Sequence, residues 1–369
     1  MKKKILAILL ALSAIFGLFS CSDKETVYPP VESTKEELKT VMTLSIDNEE
    51  YKIPYELYRA FFLQYKSTVD GGSSDVWNSE GKEEYINKID AMIISKISSI
   101  YSVLHISKKV GFDPYSKEFD ELVAEYVAIS VEGGSIGDAI LEGFGGNYDE
   151  YLLSLKKMNL NYSVADLLLR YTIAQEKVRK YYAGDEGNND PEKADGALNY
   201  TREDVKAFYD SNESARIIRA FFAKEAFTEK RVNEIRDKIA AKSSESEVAS
   251  YVIQFSLSGG EDIKNGEVLG KYSLDAAYYS EITEATFSLR VGETSKVIEI
   301  ITDNQNGYTV IYRAKKSDAH FEKCYDSIAS VYVENEIGKI FNVTESALKS
   351  SVEYTDFLKG LDRAAITMN

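Results

Sequence analysis

Residues 286–295 read TFSLRVGETS, and this stretch connects a predicted helix to two predicted strands in the second half of the chain. Before it, residues 280–289 have the spacing of apolar side chains that is typical of a helix. After it, Lys296–Ile301 and Tyr308–Arg313 have the apolar pattern of strands. The dipeptide Asn306-Gly307 between them is typical of a tight hairpin turn. The stretch therefore predicts a helix that leads through a turn into two antiparallel strands.

The residues before this stretch extend it to a small α+β module. Thr201 precedes a short helical pattern, and Ile217–Phe222 follows as a strand. Thr228, a residue type that caps helices, precedes a second helical pattern. A glycine-rich loop comes next, with Gly259, Gly260, Gly266 and Gly270. We expect this module to occupy residues 199–318.

The rest of the chain is mostly helical by pattern. Glu83–Lys108 places apolar residues at three- and four-residue steps, which predicts a long core helix. Met42, Leu44 and Ile46 alternate like a short strand. Further helical patterns cover residues 55–66, 117–131, 148–158, 163–182 and 321–350. We expect a helical domain over residues 41–198, with a C-terminal helix in residues 319–369 packing on it.

The N-terminus has the pattern of an export signal. Lys2, Lys3 and Lys4 precede an apolar run from Ile5 to Phe19, which is shorter than the roughly 20 residues that a transmembrane helix needs. The segment Leu18-Phe19-Ser20-Cys21 resembles the bacterial lipobox, in which the cysteine is lipidated. We expect a signal peptide at residues 1–20, lipidation of Cys21 and a flexible tether at residues 21–40. An ordinary signal peptide with a chance cysteine is the alternative.

Composition excludes several classes of function. Removing the signal with its three lysines leaves 41 basic residues against 60 acidic ones, a net charge of −19. This acidic excess argues against nucleic acid as a partner. Cys324 has no second cysteine once Cys21 is modified, and there is no Cys/His metal spacing, phosphate-binding loop or His-Glu-x-x-His motif. We expect no cofactor, no metal and a membrane contact through the lipid alone.

Four motifs resemble those of extracytoplasmic foldase lipoproteins with a parvulin-type peptidyl-prolyl cis-trans isomerase domain. They are Thr201–Val205 with Tyr209–Asn212, Asn265–Gly270, Thr286–Leu289 with Val291–Ser295, and Gly307-Tyr308. The second is similar to the Gly-Gly-Asp-Leu-Gly loop of the family, with Glu267 and Val268 replacing a glycine and the aspartate. The resemblance implies an α+β fold: a helical chaperone-like domain with an inserted parvulin-like module. It also implies unfolded or nascent exported polypeptides as partners.

The resemblance also implies positions for a polar site. Active family members usually have a histidine in the first strand, a second in the last strand, and a cysteine or aspartate near the loop. The matching positions here are Ala220 (or Ile217 if the strand is shifted), Thr309 and Leu257, with Glu261 or Asp262 as substitutes for the last. His105 and His320 match none of them and are expected to be surface or helix-end residues. We therefore expect weak or absent isomerase activity.

The resemblance places a peptide-binding surface in the same module. Residues that hold the proline ring in the family align with Tyr278 and Ile282. The full predicted set is Phe222, Tyr278, Ile282, Phe287 and Tyr308.

Three functions remain open. The leading hypothesis is a lipid-anchored foldase or chaperone in the cell envelope, facing the periplasm or the cell surface. The second is an active prolyl isomerase that uses Thr309, Tyr308 and Glu261 or Asp262. The third is a surface lipoprotein that binds glycans or a protein through exposed tyrosines and Trp77.

Overall fold

A computed structural model of the chain describes residues 33–70, 74–78, 80–123, 162–184, 196–255, 260–272, 280–301 and 306–366. The chain forms two compact units, Met1–Val178 with Val343–Asn369, and Arg179–Asn342. Helices and strands occur in both, which confirms the predicted α+β class. The predictions at Cys21, Leu257, Tyr278 and residues 148–158 lie outside the described residues.

The sheet of the first unit joins both ends of the chain. Strand β1 (Thr40–Ile46) pairs antiparallel with β2 (Glu49–Pro54), and on its other side with β7 (Glu353–Tyr354). Asp47 and Asn48 connect β1 to β2 with φ values of 51° and 64°. Two consecutive left-handed residues make the tight turn whose twist suits a two-residue hairpin.

The first unit also contains helices. They are α1 (Tyr55–Asp70), α2 (Lys82–Lys109), α3 (Tyr162–Ala183) and α11 (Asp356–Lys359), with short 3-10 turns at Ser74–Asn78 and Arg363–Ala365. The long core helix predicted over Glu83–Lys108 is confirmed by α2, in which Ile89, Ile93 and Ile97 have no exposed surface. By length and composition α2 could cross a membrane, yet 67% of its most apolar window is buried inside the protein, as in a soluble core helix.

Trp77 belongs to the core of the first unit. Its side chain is 8% exposed, and its ring centroid lies 6.3 Å from those of Phe62 and Tyr85. The hypothesis of an exposed Trp77 that binds a glycan is therefore wrong for this residue, because neighbouring aromatic rings hold the indole inside.

The C-terminal residues are held in the first unit by polar contacts. Arg363 forms an ion pair with Asp90, which also accepts a hydrogen bond of 2.6 Å from the Tyr58 hydroxyl. Burial raises the pKa of Asp90. Lys66 donates to the carbonyls of Ala364 and Ile366 at 3.0 and 2.8 Å. These contacts fix the chain end after β7.

The second unit contains a four-stranded antiparallel sheet and its helices. In chain order they are α4 (Arg202–Asp210), β3 (Ser214–Ala223), α5 (Glu229–Ala240), α6 (Glu245–Val252), α7 (Gly260–Asn265), β4 (Glu267–Gly270), α8 (Ser280–Ser288), β5 (Ile298–Ile301), β6 (Asn306–Arg313), α9 (Asp318–Lys323) and α10 (Tyr325–Ser350). The strand order is β4-β3-β6-β5. Thr201 and Thr228 cap α4 and α5 as predicted, each accepting from the backbone N–H three residues on.

Two local predictions in this unit are wrong. Asn306 and Gly307 are not the hairpin turn but the first residues of β6, paired with Ile301 and Ile300. A side chain at Gly307 would overlap the carbonyl of Phe222, so the glycine serves close strand packing instead. The predicted glycine-rich loop contains α7 and β4, joined at Gly266.

The boundary between the two units falls within α10. The second unit continues to Asn342 along this helix, and the described residues from 343 to 366 belong to the first unit.

Candidate functional site

Strand β3 has a different core on each face. Ile218, Ala220 and Phe222 contact apolar residues of α5 and α6; we call this side the α5–α6 face. Ala215 and Ile217 contact α8, β5 and β6 on the other side, the α8 face. Successive side chains of a strand point to opposite faces, so even and odd residues of β3 are separated.

The structure does not bring Ala220 and Thr309 together. Ala220 pairs with Val310, and Thr309 pairs with Phe221. Residues directly opposite in an antiparallel ladder share a face, which places Thr309 on the α8 face and Ala220 on the α5–α6 face. The shifted position, Ile217, does lie on the α8 face. Both Ala220 and Thr309 are almost completely buried, at 0% and 1% exposed.

An ion pair that sequence reasoning missed lies on the α8 face. Arg219 of β3 contacts Glu267 of β4 through Nε and Oε1 at 2.7 Å, with side chains 31% and 39% exposed. Arg219 stands between Ile217 and Phe221 on the same face, so it is the diagonal neighbour of Thr309. Because side chains on one face of a strand recur every second residue, the sequence position of Ile217 predicts that Arg219 shares its face.

This ion pair limits the chemistry of the face. A guanidinium donates hydrogen bonds but has no lone pair to accept a proton. Glu267 is the partner of that guanidinium, so its Oε1 atom is already held in an ion pair. The pair therefore differs from two neutral imidazoles, which can donate and accept at the same site.

Helix α8 covers part of this face with apolar residues. Ile282 is 3% exposed and packs against β3 and β6, and Phe287 is partly buried in the same cluster. The Arg313 guanidinium carbon lies 5.5 Å from the centroid of the Phe287 ring. Thr286 is fully buried, and its hydroxyl has no hydrogen-bond partner within the described part of the chain. Here the face is tightly packed and poor in paired polar groups.

The predicted peptide-binding residues do not form one surface. Ile282 and Phe287 lie on the α8 face, whereas Phe222 and Tyr308 are paired on the α5–α6 face. Phe222 packs edge-on against Phe227 at 5.1 Å between centroids. Tyr308 and Thr309 are consecutive in β6, so the alternative isomerase set also divides between faces. The side chains of Glu261 and Asp262 lie outside the described ones.

The loop motif at residues 265–270 has a structural role. Gly266 has φ +73°, and a Cβ there would lie 2.7 Å from the carbonyl oxygen of Ile217. Arg216 donates to the Asn265 carbonyl from Nε and Nη2 at 2.8 and 2.6 Å. Gly270 faces Asn335, whose Oδ1 would lie 2.9 Å from an added Cβ. These glycines let β4 approach β3 and α10.

The expectation of surface histidines is wrong, because each ring packs against a buried tyrosine. His105 is 3% exposed, with Nδ1 2.8 Å from the Tyr51 hydroxyl. His320 is 7% exposed, with Nδ1 2.9 Å from the Tyr209 hydroxyl. Burial lowers the pKa of His320 because the imidazolium loses hydration there. His320 does stand in the last turn of α9.

Solved structures of PrsA foldases are similar to this chain at low sequence identity. Foldase protein PrsA from Streptococcus pneumoniae str. Canada MDR_19A is 12% identical, with 86% of this chain and 96% of that chain covered and a TM-score of 0.27. PrsA from Bacillus subtilis is 15% identical, with 78% of this chain and 94% of that chain covered and a TM-score of 0.24. Peptidylprolyl isomerase (PrsA) from Bacillus anthracis is 19% identical, with 72% of this chain and 100% of that chain covered and a TM-score of 0.25. No protein-family model and no curated protein matches the chain.

The role of Gly266 predicts a stability difference between two glycines. Gly292 also has positive φ, +89°, but an added Cβ there meets nothing within 4 Å. Gly292→Ala should lower the free energy of unfolding by about 1 kcal/mol, because alanine is strained in the left-handed backbone conformation. Gly266→Ala adds a clash with the carbonyl of Ile217 and should lower the free energy of unfolding by at least about 1 kcal/mol more than Gly292→Ala does.

Urea unfolding followed by circular dichroism measures both variants against the native protein. Equal destabilisation by the two substitutions would contradict the close approach of β3 at Gly266.

Proposed function

We propose that the chain is a lipid-anchored extracytoplasmic foldase or chaperone that binds unfolded segments of exported proteins, with weak or no prolyl isomerase activity. One observation carries the second half of this proposal. The α8 face presents an Arg219–Glu267 ion pair beside a buried Thr309, where an active parvulin-type site would need a connected network of hydrogen bonds.

The energetics of prolyl isomerisation support the proposal of weak or absent isomerase activity. Rotation about a peptide bond has a barrier of roughly 18–20 kcal/mol, which an isomerase lowers by holding the proline ring and stabilising the twisted amide. A connected polar network orders such a site, and a network with missing members loses more than one pair at a time. Ala220 and Thr309, the positions that match the polar site of the family, lie on opposite faces of the sheet, so they offer no place for one connected network.

Binding of unfolded segments requires exposed amphipathic contact area but no ordered polar network. Its 26 tyrosines and 16 phenylalanines supply amphipathic contact area. Most described aromatic residues are buried or partly buried, yet Tyr115 and Tyr181 are 56% and 40% exposed. The strong negative charge keeps the body soluble beside a membrane.

The active isomerase is the weaker alternative, because Tyr308 and Thr309 point to different faces of β6. Surface recognition of glycans is weaker still without an exposed Trp77.

Chaperone action can be measured directly. The soluble form, residues 22–369, should suppress light scattering when a chemically denatured client enzyme is diluted from guanidinium, because it would cover exposed apolar segments. The control is an acidic globular protein at the same concentration. Scattering that matches the control at a large molar excess of the chain would contradict the proposed function.

The anchor is tested by exchanging one cysteine at a time. Lipidation of Cys21 would hold the chain on a membrane, since each buried CH₂ contributes about 0.8 kcal/mol. In a bacterial host, Cys21→Ser should move the protein from the membrane to the soluble fraction and abolish labelling by radioactive palmitate. Cys324→Ser is the matched control and should leave both unchanged. Palmitate labelling that follows Cys324 would contradict the assignment.

A further inference from the structure

The sheet of the first unit has an edge strand with free backbone groups. Its order is β2-β1-β7, so β2 has one neighbour among the described strands. Ser45 of β1 donates its N–H to the Ser351 hydroxyl, on the β7 side of the sheet. Backbone groups alternate in direction along a strand, so Leu44 and Ile46 point toward β2, where they pair with Tyr51 and Glu49.

The same alternation directs Glu50 and Lys52 outward. Their N–H and C=O groups point away from β1, and neither forms a hydrogen bond to another described residue outside the sheet. Their side chains are exposed, and neither is in an ion pair within the described ranges. A strand edge of this kind can pair with an added extended segment.

A groove runs beside this edge. It has a volume of about 450 Å³, and its apolar lining comes from Tyr51, Tyr101, Leu104 and Tyr115. Tyr51 and Tyr101 form its buried part, at 9% and 6% exposed, and Tyr115 is 56% exposed. The ring centroids of Tyr51 and Tyr101 are 5.0 Å apart. Aromatic walls next to free backbone groups offer both parts of a peptide site.

Polar contacts connect several residues that line the groove. The Tyr51 hydroxyl donates to Glu49 at 2.9 Å and lies 2.8 Å from Nδ1 of His105. Lys108 donates to the other oxygen of Glu49 at 2.7 Å. Because these groups already hold one another, the groove is formed without a ligand, which reduces the entropy lost on binding.

We propose that an extended segment of unfolded polypeptide adds to β2 as a further strand, with an apolar or aromatic side chain in the tyrosine-lined groove. This inference rests on the proposed function, because unfolded clients supply such segments. Glu50 and Lys52 are two residues apart and face the same side, so they favour a segment with opposite charges at alternate positions.

The probe is a fluorescein-labelled synthetic peptide in which valine and tyrosine alternate with lysine and glutamate. Lys52→Pro removes the outward N–H without removing a ladder hydrogen bond, as proline allows at an edge. Lys52→Ala is the matched control, since it removes the same charge and keeps the N–H. Loss of one hydrogen bond should weaken binding of the proline variant about fivefold relative to the alanine variant.

A second pair of variants tests the groove. Tyr115→Ala should weaken peptide binding by about tenfold, as expected for loss of an aromatic contact in a groove. Tyr181→Ala removes an exposed tyrosine of the second unit and should leave the affinity unchanged. Fluorescence of Trp77, the one tryptophan of the chain, reports whether the first unit remains folded in each variant.

A third measurement does not depend on the variants folding. Methylating the backbone nitrogens along one edge of the probe should abolish its binding to the native protein. Equal affinity of the methylated and unmodified probes, or of Lys52→Pro and Lys52→Ala, would overturn the strand addition. Dimerisation of the native chain that Lys52→Pro abolishes, without peptide binding, would also overturn it in favour of a second copy at β2.

The outcome separates this inference from the proposed function. If the native chain suppresses client aggregation and Tyr115→Ala binds the probe as well as the native protein, the groove assignment fails and the chaperone function stands. If the native chain suppresses no aggregation, the proposed function fails, whatever the probe shows.

Discussion

Burial of strand β3 on both faces is the constraint on which the second unit depends. Its even residues complete the core under α5 and α6, and its odd residues complete the core under α8. The period of two residues allows no exception, so every functional side chain on β3 must belong to one of two separate environments. Thr309 belongs to the α8 face through its pairing with Phe221, and its other neighbours there are Arg219 on β3 and Ile298 on β5.

The polar residue that this geometry selects is Arg219, and Glu267 neutralises it. Close backbone packing supports the arrangement: glycine at 266 lets the chain pass the carbonyl of Ile217, and glycine at 307 lets β6 lie against Phe222. The glycines of the motifs at residues 265–270 and 307–308 therefore serve the packing of the strands. The first unit has the complementary property, because its edge strand and tyrosine-lined groove can contact a chain without acting on it.

Local signals in the sequence were sufficient for helices and caps. Thr201 and Thr228 cap helices through contacts three residues away, and the isoleucines of α2 repeat with the helical period. Strand faces were harder to assign. Ile217–Phe222 is mostly apolar on both sides, as in strands buried on both faces, so it carries no alternation that separates Ala220 from Arg219. Strand β2 was missed because only two of its residues, Tyr51 and Ile53, are buried, and its pairing with β1 depends on the turn at Asp47 and Asn48. The burial of Trp77, His105 and His320 depends on residues distant in sequence.

In the proposed function, the chain binds unfolded polypeptide without using proline. The most direct measurement is the affinity of the soluble chain for a permanently unfolded, reduced and alkylated polypeptide, compared with the same polypeptide after every proline is replaced by alanine. Binding that does not use proline should give dissociation constants that agree within about twofold, a difference in binding free energy below about 0.5 kcal/mol. A loss of about tenfold or more on removing the prolines would contradict it, because a working proline pocket would then carry the binding.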